Sequence, residues 1–169
     1  MLAPTPHLSG YVVNLSSGLT GILETLGQMR SMVKQCRTDP TIRQAATNLI
    51  FLTPEKDQAS EAEAIFNWVR DNVRYVRDVH DVETLSTPMI TLSGRVGDCD
   101  DQTVLLASML EAVGYPTRFV IEGYHSADSY EHVYLETLIN GYWVGMDPTE
   151  NNPMGWTPPG PVSKAVEAI

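Results

Sequence analysis

Apolar residues recur at helical spacing along residues 16–36, where Leu19, Ile22, Leu23, Leu26, Met29, Met32 and Val33 predict a first helix that Ser16 or Ser17 can cap. Gly21 and Gly27 lie inside it, each costing about 1 kcal/mol relative to Ala in a helix. The Asp39–Pro40 step opens a second helix with the stripe Ile42, Ala45, Ala46, Leu49 and Ile50, and Thr53–Pro54 ends it. Ser60 with Glu63 has the spacing of a capping box. It predicts a third helix to about Asn72, with Ala64, Ile65, Trp68 and Val69 facing inward. A short strand is expected at Val73 to Val76, then an acidic loop from Asp78 to Glu83.

Residues 86–98 read as an irregular approach to a buried helix spanning about Cys99 to Val113, whose body is rich in Ala, Leu and Met. Gly114 suits the position just past a helix end, and Pro116 bars continuation. Three strands follow, at Thr117–Tyr124, Tyr130–Ile139 and Tyr142–Met146, and Asn140-Gly141 between the last two signals a type I′ hairpin. Helices first and an antiparallel meander afterwards predict an α+β fold, with a central Cys-bearing helix on an antiparallel sheet and extra N-terminal helices. Residues 16–150 are expected to form one domain, with its core in 64–149. Residues 1–15 read as an extended segment and 151–169 as a Pro/Gly-rich tail.

The 169 residues suit a single domain, and a hydrophobic share of 43% is enough for a core. Eleven basic against twenty-one acidic residues give a net charge of −10, which repels phosphate backbones and anionic membranes. No nucleic-acid or membrane partner is expected. Two cysteines cannot make a disulfide framework. The first basic residue is Arg30, so no signal peptide is read, and no run reaches the roughly 18 apolar residues of a membrane span. The expectation is a soluble protein made in a cytoplasm.

Cys99 falls where an irregular segment meets the central helix, and a helix N-terminus favours a thiolate. The hairpin register then locates two partners. With Asn140-Gly141 as the turn, paired residue numbers sum to 281, so His132 and Asp147 become diagonal neighbours on one face, about 7–8 Å apart between Cα atoms. The other face collects Val133, Leu135, Thr137, Ile139, Tyr142, Val144 and Met146, which supports the register. A thiol, an imidazole and a carboxylate in this arrangement supply a nucleophile, a general base and a group that orients the base.

The runs GDCDDQTVLLASMLEAVGYPTRFV, EHVYLE and YWVGMDPT resemble the transglutaminase-like superfamily, whose papain-like core carries a Cys–His–Asp triad in this order. The resemblance covers about Ala64 to Thr149, and the segment IFNWVRDNVRY upstream is similar to the one that precedes the nucleophile there. It implies Cys99 as nucleophile, His132 as base and Asp147 as orienting acid. Asp100 and Asp101 follow Cys99 where animal transglutaminases have an aromatic residue, which points away from cross-linking. The GDCDD form is more similar to bacterial transglutaminase-like cysteine proteinases and to small phage and prophage tail- or head-associated members, the phage group fitting the N-terminal half best.

The expected function is therefore a cysteine-dependent amide-bond hydrolase, peptidase-like, that acts on a protein or peptide through a thioester acyl-enzyme. The alternatives are a phage virion or tail-assembly protein on the same fold, with phage structural proteins as partners, and a transglutaminase-type acyltransferase. The backbone N–H of Cys99 is the expected oxyanion donor, with a second from the region Trp68 to Tyr75. Trp143, Trp68 and Tyr75 are candidate walls of the site. Asp98, Asp100 and Asp101 read as N-terminal helix caps and alternatively as calcium ligands, since carboxylates beside Cys99 raise its pKa and a cation would relieve this. No cofactor is required. Cys36 reads as a packed helix residue, and His7, His80 and His125 show no zinc-ligand spacing.

Overall fold

A computed structural model describes residues 18–77, 84–126 and 129–169. The expected extended segment 1–15 with His7, and the acidic loop 78–83 with His80, lie outside the described residues. Three helices lead the chain: α1 (Gly18–Cys36), α2 (Pro40–Ile50) and α3 (Gln58–Asn72). Asp39 caps α2, accepting from the backbone N–H of Thr41 at 2.7 Å, with Pro40 in the first turn where its missing N–H costs nothing. The cap of α3 is Asp57 instead of Ser60: its carboxylate accepts from both the N–H and the hydroxyl of Ser60. An Asp three residues upstream is the stronger acceptor, and the helix starts earlier. Its buried face is accordingly Ala62, Ile65, Phe66 and Val69, while Ala64 and Trp68 are half-buried.

The approach to the central helix is more ordered than its sequence suggests. Strand β1 (Arg74–Tyr75) pairs in parallel with β2 (Val96–Gly97), and the seven-residue helix α4 (Pro88–Gly94) lies between them. Seven residues are too few for helical periodicity to show. The signal was Thr87 followed by Pro88, a helix entry, and α4 closes through Arg95 in the left-handed region at φ 54°.

Helix α5 (Cys99–Ala112) is the core element. Residues Asp100 to Leu110 are all buried, enclosed by the four other helices on one side and the sheet on the other. Gly114 takes φ 98° just past its end, as a C-terminal glycine does. The sheet runs β5 (Tyr142–Met146), β4 (His132–Ile139), β3 (Thr117–Gly123), β6 (Ser163–Ala168), antiparallel throughout. Asn140 and Gly141 have φ 50° and 86°, and the ladder from Ile139–Tyr142 to Leu135–Met146 has the expected register. Phe119, Ile121, Val133, Leu135, Ile139 and Met146 are buried in the core that α5 shares, but Tyr142 is exposed.

Strand β6 lies in the segment read as a tail. Asn152 to Pro161 is irregular, and then SKAVEA alternates, with Ala165 and Glu167 inward and Lys164 and Val166 outward. Its period of two was overshadowed by the preceding prolines and glycines. An Arg30–Glu167 ion pair joins α1 to this edge. Among the described residues no helix is long and apolar enough to cross a membrane.

Candidate active site

The parallel β1–β2 pair aims the chain into α5 so that Cys99 is its first residue. Gly97 is close-packed at this elbow: a Cβ there would lie 2.6 Å from the Cβ of Asp101. Its carbonyl accepts from Val76 N–H at 3.0 Å and from Gln102 Nε2 at 3.2 Å, which fixes the turn. Asp98 caps α5 by accepting from the N–H groups of Asp100 and Asp101 at 3.1 and 3.2 Å. Asp101 accepts from Ser86 N–H at 2.6 Å. Of the three carboxylates, Asp98 alone caps the helix, while Asp101 bonds the approach segment and Asp100 bonds the Cys99 sulfur. One ligand atom each of Asp98, Cys99 and Asp100 still lie within 4.8 Å of one another.

His132 opens β4 and Asp147 follows β5. The hairpin register brings them together: His132 Nε2 and Asp147 Oδ2 are 2.7 Å apart. Asp147 is 1% exposed, and its other oxygen accepts from Thr149 N–H at 3.0 Å and Thr149 Oγ1 at 2.7 Å. Both carboxylate oxygens are thus pinned, and the imidazole they hold has Nδ1 left for proton exchange.

Cys99 and His132 line one cavity of about 460 Å³, with Tyr75 and Arg77 from the β1 side and Ile22, Leu26 and Met29 from α1. The sulfur donates to Asp100 Oδ1 at 3.5 Å and accepts from the backbone N–H of Val133, the residue after His132. That contact sets the sulfur against the start of β4. No hydrogen bond joins Cys99 to His132 among the described residues. Burial, then the carboxylates of Asp100 and Asp98, push the thiol well above its ordinary pKa, against the pull of the Val133 N–H. The thiolate expected from the helix dipole is not the resting form, because desolvation and two adjacent carboxylates outweigh a partial charge.

Behind the imidazole is a second polar layer that sequence reasoning missed. Glu122 pairs across the ladder with His132 and is fully buried. It accepts from Tyr134 at 2.8 Å and Tyr124 at 2.9 Å, with Lys164 Nζ of β6 at 3.1 Å. The Tyr134 ring stacks on His132, centroids 6.1 Å apart. Burial and the Glu122 hydrogen bonds raise both phenols, which keeps them neutral donors. A buried negative charge beside the imidazole is thereby compensated from the last strand. The β3–β4 connection has no short turn signal, so sequence alone could not place Glu122 opposite His132. Thr149 was legible as the hydroxyl of an Asp-x-Thr turn.

Of the expected walls, Tyr75 lines the cavity, and Trp143 and Trp68 do not. Trp143 is on the His132 face, as the register requires, but at the far end opposite Leu138, with Arg118 over its ring at 4.1 Å. Trp68 is half-buried with Arg95 5.7 Å from its ring centroid. Cys36 is half-buried against the core, as expected of a packed residue, and its thiol too is raised by burial. His125 bonds Glu131 on the surface at 2.8 Å.

The profile of the transglutaminase-like superfamily matches residues 45–148, and the chain belongs to that superfamily. No curated protein sequence matches it. Among solved structures it is similar to a proposed cysteine protease from Cytophaga hutchinsonii, at 19% identity and a TM-score of 0.57, over 82% of this chain and 47% of that one. A proposed protease from Parabacteroides distasonis gives 14% and 0.61, over 76% of this chain and 26% of that one. LapG of Legionella pneumophila gives 16% and 0.51, over 83% of this chain and 87% of that one. The chain therefore spans less than half the length of the first two. At such identities the likeness is one of fold alone.

Removing the nearest carboxylate tests the electrostatics. Asp100→Asn lowers the Cys99 pKa and speeds iodoacetamide alkylation of Cys99 at pH 7.5, by about tenfold for each unit of pKa. An unchanged or slower rate, read by peptide mass spectrometry, contradicts the account.

Proposed function

We propose that this chain is a cysteine-dependent hydrolase of amide bonds in a peptide or protein, working through a thioester acyl-enzyme. The observation that carries the reading is one cavity lined by Cys99 and by an imidazole that the buried Asp147 holds at 2.7 Å. Fold likeness alone would not suffice.

Because the resting thiol is protonated, His132 acts as general base. Its Nδ1 takes the thiol proton as the sulfur attacks the substrate carbonyl carbon. The C–S bond forms, and the carbonyl π electrons move to oxygen. The N–H of Cys99 is one donor to that oxyanion. Tyr75 is the second in this reading: it lines the same cavity as Cys99, and its hydroxyl is bonded by Arg77. As the oxyanion collapses, the C–N bond breaks and the imidazolium gives its proton to the leaving amine. His132 then deprotonates water, which attacks the thioester. The acid is released and the thiol restored. Asp147 keeps the ring in one tautomer and stabilises the imidazolium throughout.

Transfer of the acyl group to an amine in place of water uses the same intermediate and differs only in the second nucleophile. Assembly into a phage particle is a separate proposal resting on the sequence resemblance, and the segment 1–15 that motivated it lies outside the described residues. No cofactor takes part in this reading. The carboxylates of Asp98 and Asp101 are already committed to backbone N–H groups, so calcium is proposed not to be needed for folding.

Two measurements test these statements. A thiol-reactive peptidyl probe is expected to label Cys99 in the wild type and nothing in Cys99→Ser. Equal labelling of Cys36, or none at Cys99, favours a structural role. The melting temperature is expected to be the same in millimolar calcium and in chelator. A specific site filled a hundredfold above its dissociation constant would raise it by about 5–10 °C and would refute the capping assignment.

A further inference from the structure

The cavity at Cys99 has an apolar wall built largely from residues outside the span that the superfamily profile matches. Ile22, Leu26 and Met29 line it together with Ile121 and Val133. The first three belong to α1, residues 18–36, which lies wholly outside the matched span 45–148. They follow the helical spacing i, i+4, i+7, so one stripe of the helix both packs on the core and faces the sulfur. Leu26 and Met29 are 4% and 1% exposed, so this wall is fixed in place, and Ile22 is partly exposed at the mouth. The charged lining is Asp98, Asp100 and Glu131 against Arg77, an acidic excess.

We infer that α1 is the specificity wall of the enzyme, and that the cavity takes an aliphatic, uncharged side chain on the acyl side of the bond to be cut. The inference rests on the hydrolase reading and adds the substrate class. An aliphatic side chain gains by covering Ile22, the partly exposed residue of the three, which Leu26 and Met29 back from the core. A carboxylate placed there loses hydration and meets three acidic groups. The shape of the preference therefore comes from a helix outside the matched span, while the reacting groups lie within it. Ile22 is a positioning residue here: it contacts the substrate side chain and none of the reacting atoms.

The test is affinity labelling with N-acetyl-leucine and N-acetyl-aspartate chloromethyl ketones, in which the Cys99 sulfur bonds to the methylene carbon and chloride leaves. Rates at Cys99 are read by peptide mass spectrometry and normalised to each reagent's rate with glutathione. The leucyl reagent is expected to be faster by at least about tenfold, the discrimination an apolar pocket gives for a small change in side chain. Ile22→Asp should abolish that preference, and Ile22→Ala, which keeps a good helix former, should reduce it by about threefold. Iodoacetamide, which has no side chain, reports the reactivity of the sulfur itself in each variant, and the ketone rates are divided by its rate before they are compared. Leu23→Asp, exposed on the same helix and not lining the cavity, should leave the preference unchanged. Cys99 labelling that ignores the side chain, or a preference that survives both Ile22 variants, overturns the inference and leaves the hydrolase reading standing. No labelling of Cys99 by either ketone overturns both.

Discussion

The 2.7 Å hydrogen bond between His132 and Asp147 is the interaction on which the proposed chemistry depends, and the hairpin that carries both residues makes it possible. The two residues are fifteen apart in the chain. They meet because Asn140 and Gly141 adopt positive φ and set a two-residue turn. A register shifted by one residue would send one of them to the opposite face of the sheet. Thr149 supplies two donors to the other carboxylate oxygen, so Asp147 is held in one orientation although it is almost fully buried. A carboxylate so buried is tolerated only with this set of partners.

The electrostatics around the sulfur are more conservative than a helix N-terminus suggests. The dipole of α5 and the Val133 N–H favour the thiolate, but burial, Asp100 and Asp98 oppose it more strongly. The resting pair is a neutral thiol and a base held ready nearby. In the proposed reaction the substrate brings the carbonyl, and the thiol proton moves to the imidazole as the C–S bond forms and the oxyanion develops. On the other side of His132, Glu122 would be a costly buried charge without Tyr124, Tyr134 and Lys164. The last strand thus does more than close the sheet: Lys164 neutralises the layer behind the imidazole. The acidic excess of the whole chain is not uniform at this level of detail.

The sequence was most informative where a local rule has a geometric consequence. Asn140-Gly141 gave the register, the register gave the His132–Asp147 pair, and the α/β order gave the layers. The helices α1, α2 and α5 are near their expected bounds because each combines periodicity with a clear stop or start. What could not be read depends on packing between distant segments or on elements too short for a period. Helix α4 is seven residues long, and β6 follows a Pro/Gly-rich stretch that masks its alternation. Ser60 was a plausible cap until Asp57 was seen to bond it. Trp143 was assigned to the correct face and the wrong end, because a face is set by parity while distance along the strand decides what a side chain touches. The candidate trio Cys99, His132 and Asp147 was visible as residue types in order. That α1 closes the cavity was not, since nothing local in that helix records what it packs against.

The account stands on His132 acting as the base for Cys99 within the cavity they share. The most direct measurement is the burst of p-nitrophenolate released when the protein is mixed with excess p-nitrophenyl acetate, with the acetylated residue located by mass spectrometry. The account predicts about one equivalent released per chain, acetyl on Cys99, and a burst rate that falls by about 10²- to 10⁴-fold in His132→Ala. A burst of the same rate in His132→Ala, or acetyl found on Cys36 in place of Cys99, would contradict it.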